Sequence, residues 1–409
     1  MKKINILTVV IMAVGIAVFS ISCGSSSSSG GGGGGGNVSG SLNSLPNANL
    51  TVSNVGGAAS QTLGAASKTP SSPNPSTLAS PGGALGALSY LVSNPNKLVI
   101  KPQSMKGPVL QALSNLKLLQ VYSGACPGGG TINIVPGSTS GTEVITFNNC
   151  VEGPTTLNGS ITISANSSSS TSVNATITYS AFTFSETISG GSFAATFNGS
   201  LAFAGTGLTV NSTNITFTEN GSITISGSAA NWTFPDFTCN EAITGTFSGW
   251  ASVDDSFSGS PSTVAVSGTD GREENGSGTS SSGGSFAYKV GSYGVYSFTM
   301  AITGNPQSPT TLTLNGSGTF GANVTGTVSG TSSCSALAPT STSYYGKYSV
   351  TLDKITFDSS CAYAPSGGTL TITADNTWVF DFTAGPGCGC AVVKENNVTV
   401  PQSPMCGLY

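Results

Sequence analysis

From about Thr131 to the C-terminus, apolar residues alternate with Thr, Ser and Asn. Ile132-Asn133-Ile134-Val135, Ile145-Thr146-Phe147, Ser160-Ile161-Thr162-Ile163, Ala175-Thr176-Ile177-Thr178-Tyr179, Phe182-Thr183-Phe184 and Ile215-Thr216-Phe217 all follow this period of two. Such alternation predicts strands with one buried face and one wet face, as antiparallel sheets allow. Asn158-Gly159, Asn198-Gly199, Asn220-Gly221, Asn275-Gly276 and Asn315-Gly316 punctuate the runs. These dipeptides adopt the left-handed angles of tight hairpins, so turns are expected at each of them. Helical periodicity is confined to Gly83 to Ser93 and to Pro108 to Gln120, where Val109, Leu110, Leu113 and Leu116 form an apolar stripe. The predicted fold class is all-β: an antiparallel meander, as a sandwich or a strongly curved sheet, with one or two short N-terminal helices.

The first 22 residues have a different pattern. Lys2 and Lys3 precede an apolar stretch from Ile4 to Phe19, and Ser20-Ile21-Ser22 leads into Cys23. A run of about 19 uncharged residues is marginal for spanning a bilayer, and a cleaved secretory signal or an uncleaved anchor helix are the plain alternatives. After Cys23 comes a Ser/Gly run that reads as a tether. The segment resembles a bacterial lipoprotein signal, with Ser20 standing where that pattern prefers Leu. The resemblance implies that residues 1–22 are a signal peptide and that Cys23 is lipidated. It also implies that the chain is held on a membrane, and Gly24 and Ser25, which carry no acid, lean toward the outer membrane, at its periplasmic face or at the cell surface. The expected organisation is a signal over 1–22 and a lipidated Cys with a flexible linker over 23–80. A helical cap with a first β module would follow over 81–260, and a second β module over 285–409.

Eight further cysteines, Cys126, Cys150, Cys239, Cys334, Cys361, Cys388, Cys390 and Cys406, form an even set suited to disulfides in an exported chain. A zinc site is the rival reading, but no pair of Cys-x-x-Cys knuckles is present. Ile145 to Cys150 followed by Asn158 to Ile163 is echoed about 210 residues later by Ile355 to Cys361 followed by Gly367 to Ile372. Two related modules would explain this echo, and so would convergent hairpin chemistry. The unit from Cys126-Pro127-Gly128-Gly129-Gly130-Thr131 through Phe147-Asn148-Asn149-Cys150 to Ser160 is similar to a module of exported proteobacterial lipoproteins of unassigned function. That similarity implies a Cys126–Cys150 bridge. The parallel unit suggests Cys361 with Cys388; Cys390 with Cys406 and Cys239 with Cys334 would complete the set, one of the 105 connectivities open to eight cysteines.

Composition removes several chemistries. The chain has no histidine, so His-based triads and His zinc sites are excluded. All 16 acids lie at or beyond Glu143, where five bases leave about −11. Residues 23–142 carry Lys68, Lys97, Lys101, Lys106 and Lys117 with no acid. An acidic folded part repels phosphates, so no nucleic-acid partner is expected, while the basic stretch lies nearest the proposed lipid.

No residue is assigned a catalytic role. Carboxylates are the remaining catalytic candidates: Asp236, Asp254, Asp255, Asp270, Glu273 and Glu274, of which a glycosidase would need two placed across a sugar bond. Asp270, Glu273 and Glu274 also form a weak calcium candidate, without EF-hand spacing and with Arg272 among them. Otherwise no cofactor is expected. Trp232 and Trp250 suit either a sugar site or a core. Phe286, Tyr288, Tyr293, Tyr296 and Phe298 could form an aromatic platform for a glycan or an envelope protein, or pack inside. These features lead to three functional expectations: a lipid-anchored envelope protein with a binding, adhesion or structural role, a carboxylate-dependent carbohydrate-active enzyme, or a lipid carrier.

Overall fold

The computed structural model describes residues 37–56, 58–59, 62–63, 122–126, 128–139, 141–152, 155–169, 172–188, 190–206, 214–232, 242–260, 262–281, 283–305, 308–329, 346–361 and 364–408. Residues 1–22, read as a signal, together with Cys23, Asp236, Cys239, Cys334 and the two helix candidates at 83–93 and 108–120, lie outside these residues.

The alternating pattern folds into antiparallel strands that pair with their neighbours in chain order. They are β1 (Tyr122–Ala125), β2 (Thr131–Pro136), β3 (Thr142–Glu152), β4 (Thr155–Ser169), β5 (Ser172–Ile188), β6 (Gly191–Thr206), β7 (Ile215–Trp232), β8 (Ile243–Ser260) and β9 (Thr263–Ser280). The meander continues through β10 (Ser285–Asn305), β11 (Ser308–Ser329), β12 (Gly346–Asp358), β13 (Pro365–Thr373), β14 (Thr377–Asp381), β15 (Cys390–Glu395) and β16 (Val398–Thr399). The last strand, β17 (Met405–Cys406), returns to β15. Residues 263–280, read as part of a join between two modules, form β9, which pairs with β8 along one side and β10 along the other. Sheet pairing is therefore continuous across that join.

One face of the meander is buried from β2 to β15. Ile132, Phe147, Ile161, Tyr179, Phe197 and Ile225 hold it in the first half, and Val266, Phe298, Leu314, Ile355, Leu370 and Val393 in the second. Directly paired residues share a face, and the registers carry these side chains from strand to strand without a change of side. A sheet of this width can enclose one face only by curving over on itself. The outer face keeps the Ser, Thr and Asn positions.

Curvature has a local cause that inverts the expectation for the Asn-Gly pairs. All five lie inside strands. Asn149, Ala181 and Lys354 instead mark β-bulges, with φ of 47°, 47° and 52° and a register shift beside each. The amide of each bulge residue donates to an Asn side chain on a neighbouring strand: Asn149 to Asn158 Oδ1 at 2.7 Å, Ala181 to Asn198 Oδ1 at 2.8 Å, and Lys354 to Asn315 Oδ1 at 2.9 Å. The bulge carbonyl points the other way, at a glycine. A Cβ on Gly159 would strike the carbonyl of Ala181, and one on Gly368 that of Lys354. Three of the five Asn-Gly asparagines, Asn158, Asn198 and Asn315, thus cap bulges, and Gly159 makes room for one; bulges increase the local twist.

Residues 38–56, 58–59 and 62–63, read as linker from their composition, are structured. Helix α1 (Val38–Ser44) starts at Asn37, whose side chain accepts the Gly40 amide. The chain then passes the first residues of β12, where Ala48 N donates to Lys347 O and Lys347 N to Pro46 O, both at 2.8 Å. Beyond this crossing Ala48, Leu50, Val55, Ala58 and Leu63 join the interior with Phe357, Trp378 and Phe380. Alanines and scattered leucines that cannot build a core alone complete one supplied by the sheet.

Cys126 is bonded to Cys150, Cys361 to Cys388 and Cys390 to Cys406. The first closes a loop with a sequence separation of 24. Chain-entropy estimates assign about 3 kcal/mol to such a closure. A Cys126→Ser/Cys150→Ser chain should lose about that much in urea denaturation, and an unchanged midpoint would refute a stabilising role for the bridge.

Candidate functional site

The described carboxylates fall on two sides of the sheet. On the outer face Trp250 of β8 pairs with Glu273 of β9, Glu273 with Gly291 of β10, and Gly291 with Asn323 of β11. Tyr293 lies back over Gly291, and its hydroxyl donates to Glu273 Oε2 at 2.6 Å. Lys289 Nζ pairs with Glu273 Oε1 at 3.1 Å. Ser41 of α1 and Asn323 stand by the same phenol and draw its pKa down in part. Burial, and next the hydrogen bond to Glu273, hold the Tyr293 hydroxyl well above the usual phenol range. Val38, Leu42 and Leu45 of α1 pack on Tyr293, with the half-buried Trp250 and Val295 against them, and the Trp250 and Tyr293 rings are 6.2 Å apart.

A groove of about 470 Å³ opens on β6–β9, lined in part by Thr196, Ser226, Ser228, Thr246, Ser248 and Asn275. Ser226 pairs with Ser248, Ser248 with Asn275, and Asn275 with Lys289, so this lining shares the outer face with Trp250 and Glu273. Asn275 Nδ2 donates to Ser248 Oγ at 2.7 Å. Most of its lining residues carry hydroxyl or amide groups, Ala194 and Phe247 add apolar surface, and none has a formal charge.

Asp255 belongs to the inner face. It is 3 % exposed and accepts a hydrogen bond from the Tyr296 hydroxyl at 2.7 Å. Burial pushes its carboxyl up to about 7, against the lowering effect of the Tyr296 bond and with a smaller raise from Asp254.

The sequence candidates are therefore dispersed. Asp254 is exposed and pairs with Thr269, four strand positions from the Trp250–Glu273 pair. At about 3.4 Å per residue that is roughly 14 Å, beyond the ~9.5 Å that an inverting glycosidase uses. Asp255 faces away from both. The proposed calcium loop is part of strand β9, where Glu273 and Glu274 hold successive positions that belong to opposite faces. Asp270, Glu273 and Glu274 are thus not gathered by one turn. Of the aromatic run, Tyr293, Tyr296 and Phe298 are buried rather than displayed, while Phe286 and Tyr288 lie along β10. Trp232 ends β7.

Reading the chain residue by residue missed Ser41, Ser248 and Lys289, and took Asn275 only as a turn residue and calcium-loop neighbour. Strand parity links Ser248 to Trp250, but only the register joins them to Asn275 and Lys289, and nothing local brings Ser41 within reach of Tyr293. Compared with protein-family models, curated proteins and solved structures, the chain gives no match.

Proposed function

We propose that this chain is an exported, lipid-anchored cell-envelope protein whose curved sheet serves binding, adhesion or assembly rather than hydrolysis. The observation that carries the reading is the outer face. It carries a groove on β6–β9 lined mostly by neutral hydroxyl and amide groups, while of the carboxylates described beside it Asp254 stands too far from Glu273 for paired catalysis and Glu273 is engaged by Tyr293 and Lys289. Three disulfides support an oxidising compartment, and the Cys23 sequence context supports the anchor. Trp378, Phe357 and Phe380 fill the interior of the second half, which argues against a lipid carrier there.

Two measurements test this reading. Cells fed labelled palmitate should label the protein, and Cys23→Ala should abolish the label. Protease added to intact cells should cleave it while a periplasmic control survives if it works at the surface. Protection until the outer membrane is opened assigns the work to the periplasmic side. An unlabelled protein recovered from the cytoplasm would refute the proposal.

A further inference from the structure

We propose that the outer-face groove on β6–β9 is a binding site for an uncharged, extended polysaccharide chain, with Trp250 at its end as the stacking platform. This rests on the reading of the chain as an envelope binding protein and names the ligand class and the site.

Four observations converge. Beside Ala194, Phe247 and two glycines, the groove is lined by Thr196, Ser226, Ser228, Thr246, Ser248, Asn275 and Ser277, whose groups both donate and accept, as a polyol requires. A charged ligand would find no partner among the groove's lining residues, and Glu273, a described carboxylate beside it, is paired with Lys289. The groups form a grid. Ser226, Ser248 and Asn275 stand in one cross-strand row, and Ser228, Thr246 and Ser277 in the next. Within a row, members on adjacent strands repeat at about 4.8 Å, near the length of one sugar ring, so successive rings of a chain lying across the strands meet equivalent hydrogen-bonding groups.

The site is also pre-organised. The Asn275–Ser248 hydrogen bond fixes the amide, and its Oδ1 is directed by the same contact. Trp250 follows Ser248 on the same face and is held by Tyr293 and α1, so its indole needs little ordering when a ring stacks on it. The groove volume falls within the ~300–1,000 Å³ typical of ligand sites.

Affinity electrophoresis of the purified full chain tests the proposal, in native gels containing hydroxyethyl cellulose, dextran or, as an anionic polymer, alginate. Retardation is expected with at least one neutral polymer and not with alginate. Asn275→Ala and Thr246→Val should each weaken it at least tenfold with unchanged urea midpoints, and Asp255→Asn, on the opposite face, should leave it unaltered. Migration unaffected by every neutral polymer, retardation by alginate alone, or equal retardation of the groove variants would each overturn the site. Absent retardation with palmitate labelling intact removes the polysaccharide site alone. Retardation by a neutral polymer with labelling absent removes the anchor and leaves the site standing.

Discussion

Asp255→Asn is expected to stabilise the protein by about 2–4 kcal/mol at pH 8 and to change little at pH 4. The wild-type carboxyl titrates at about 7 because it is buried, whereas in the unfolded chain an aspartate titrates near ~3.9. Between these values the folded state holds a proton that the unfolded state has released. Stability therefore falls as pH rises from about 4 to about 7, and the loss is complete above the folded value. Three units at about 1.4 kcal/mol each put the full cost near 4 kcal/mol. The amide keeps an acceptor for the Tyr296 hydroxyl, now 2.7 Å from Asp255 Oδ1, and removes the charge. Urea denaturation of both proteins at pH 4 and pH 8 measures the difference. A wild type as stable at pH 8 as at pH 4, with no gain from the amide, would refute the assignment.

The groups facing Asp255 make the direction secure. Asp254, its chain neighbour, belongs to the other face and adds only a small further raise, and residue 219 of β7 holds the paired position on one side. On its other side stands Gly268, paired with both Asp255 and Tyr296. A Cβ there would strike the Asp255 carboxylate, so the missing side chain is what lets the acid reach across a strand to the phenol. Desolvation dominates because the hydrogen bond from Tyr296 supplies only one donor to an oxygen pair withdrawn from water.

Gly159→Val should cost roughly 3–6 kcal/mol and lower the urea midpoint accordingly. Gly159 has φ of 88°, a region in which side chains with a Cβ are strained, and Val is the worst case because of its branching. The added Cβ would also strike the carbonyl of Ala181, the bulge residue of β5. Relief requires β4 and β5 to separate or the bulge to unwind, and either turns Phe182 out of contact with Phe147 and Phe197, whose ring centroids lie 5.6 and 6.3 Å away. A loss below about 1 kcal/mol would mean that the bulge does not fix the register, since substitutions in neutral surface positions stay within about 0.5 kcal/mol. Gly190, also at positive φ but with open space where a Cβ would stand, separates strain from collision as a control.

Much of this fold is written in alternation. Ile132, Ile134, Ile145 and Phe147 are buried where period two places them, because a pleated strand has only two sides. The bulges were legible as breaks in that period. Buried Ile145 and Phe147 are followed by Cys150, buried Tyr179 by Phe182, and buried Leu352 by Ile355, a spacing of three where two is the rule. Reading Asn-Gly as a turn missed this, because the left-handed angles that suit a hairpin equally suit a bulge and its neighbour, and which use prevails depends on the paired strand. Residues 38–63 were misleading for a related reason. Their Ser, Gly and Ala composition cannot form a core, yet it can complete one whose other wall is supplied by residues about 300 positions away.

The sequence by itself determined the strand class, the inward and outward sides of most strands, the absence of histidine chemistry, and the acidic charge of the folded part. These depend on side-chain type and on the two-residue period, both of which are local. Tertiary structure decided the rest: that pairing runs unbroken through β9, that α1 seats on Tyr293, that Asp255 and Glu273 part to opposite faces, and that Ser226, Ser248 and Asn275 line one groove. Each of these depends on register, and register is set by the sum of bulges, glycine gaps and long-range pairs across the sheet, which no window of neighbouring residues contains.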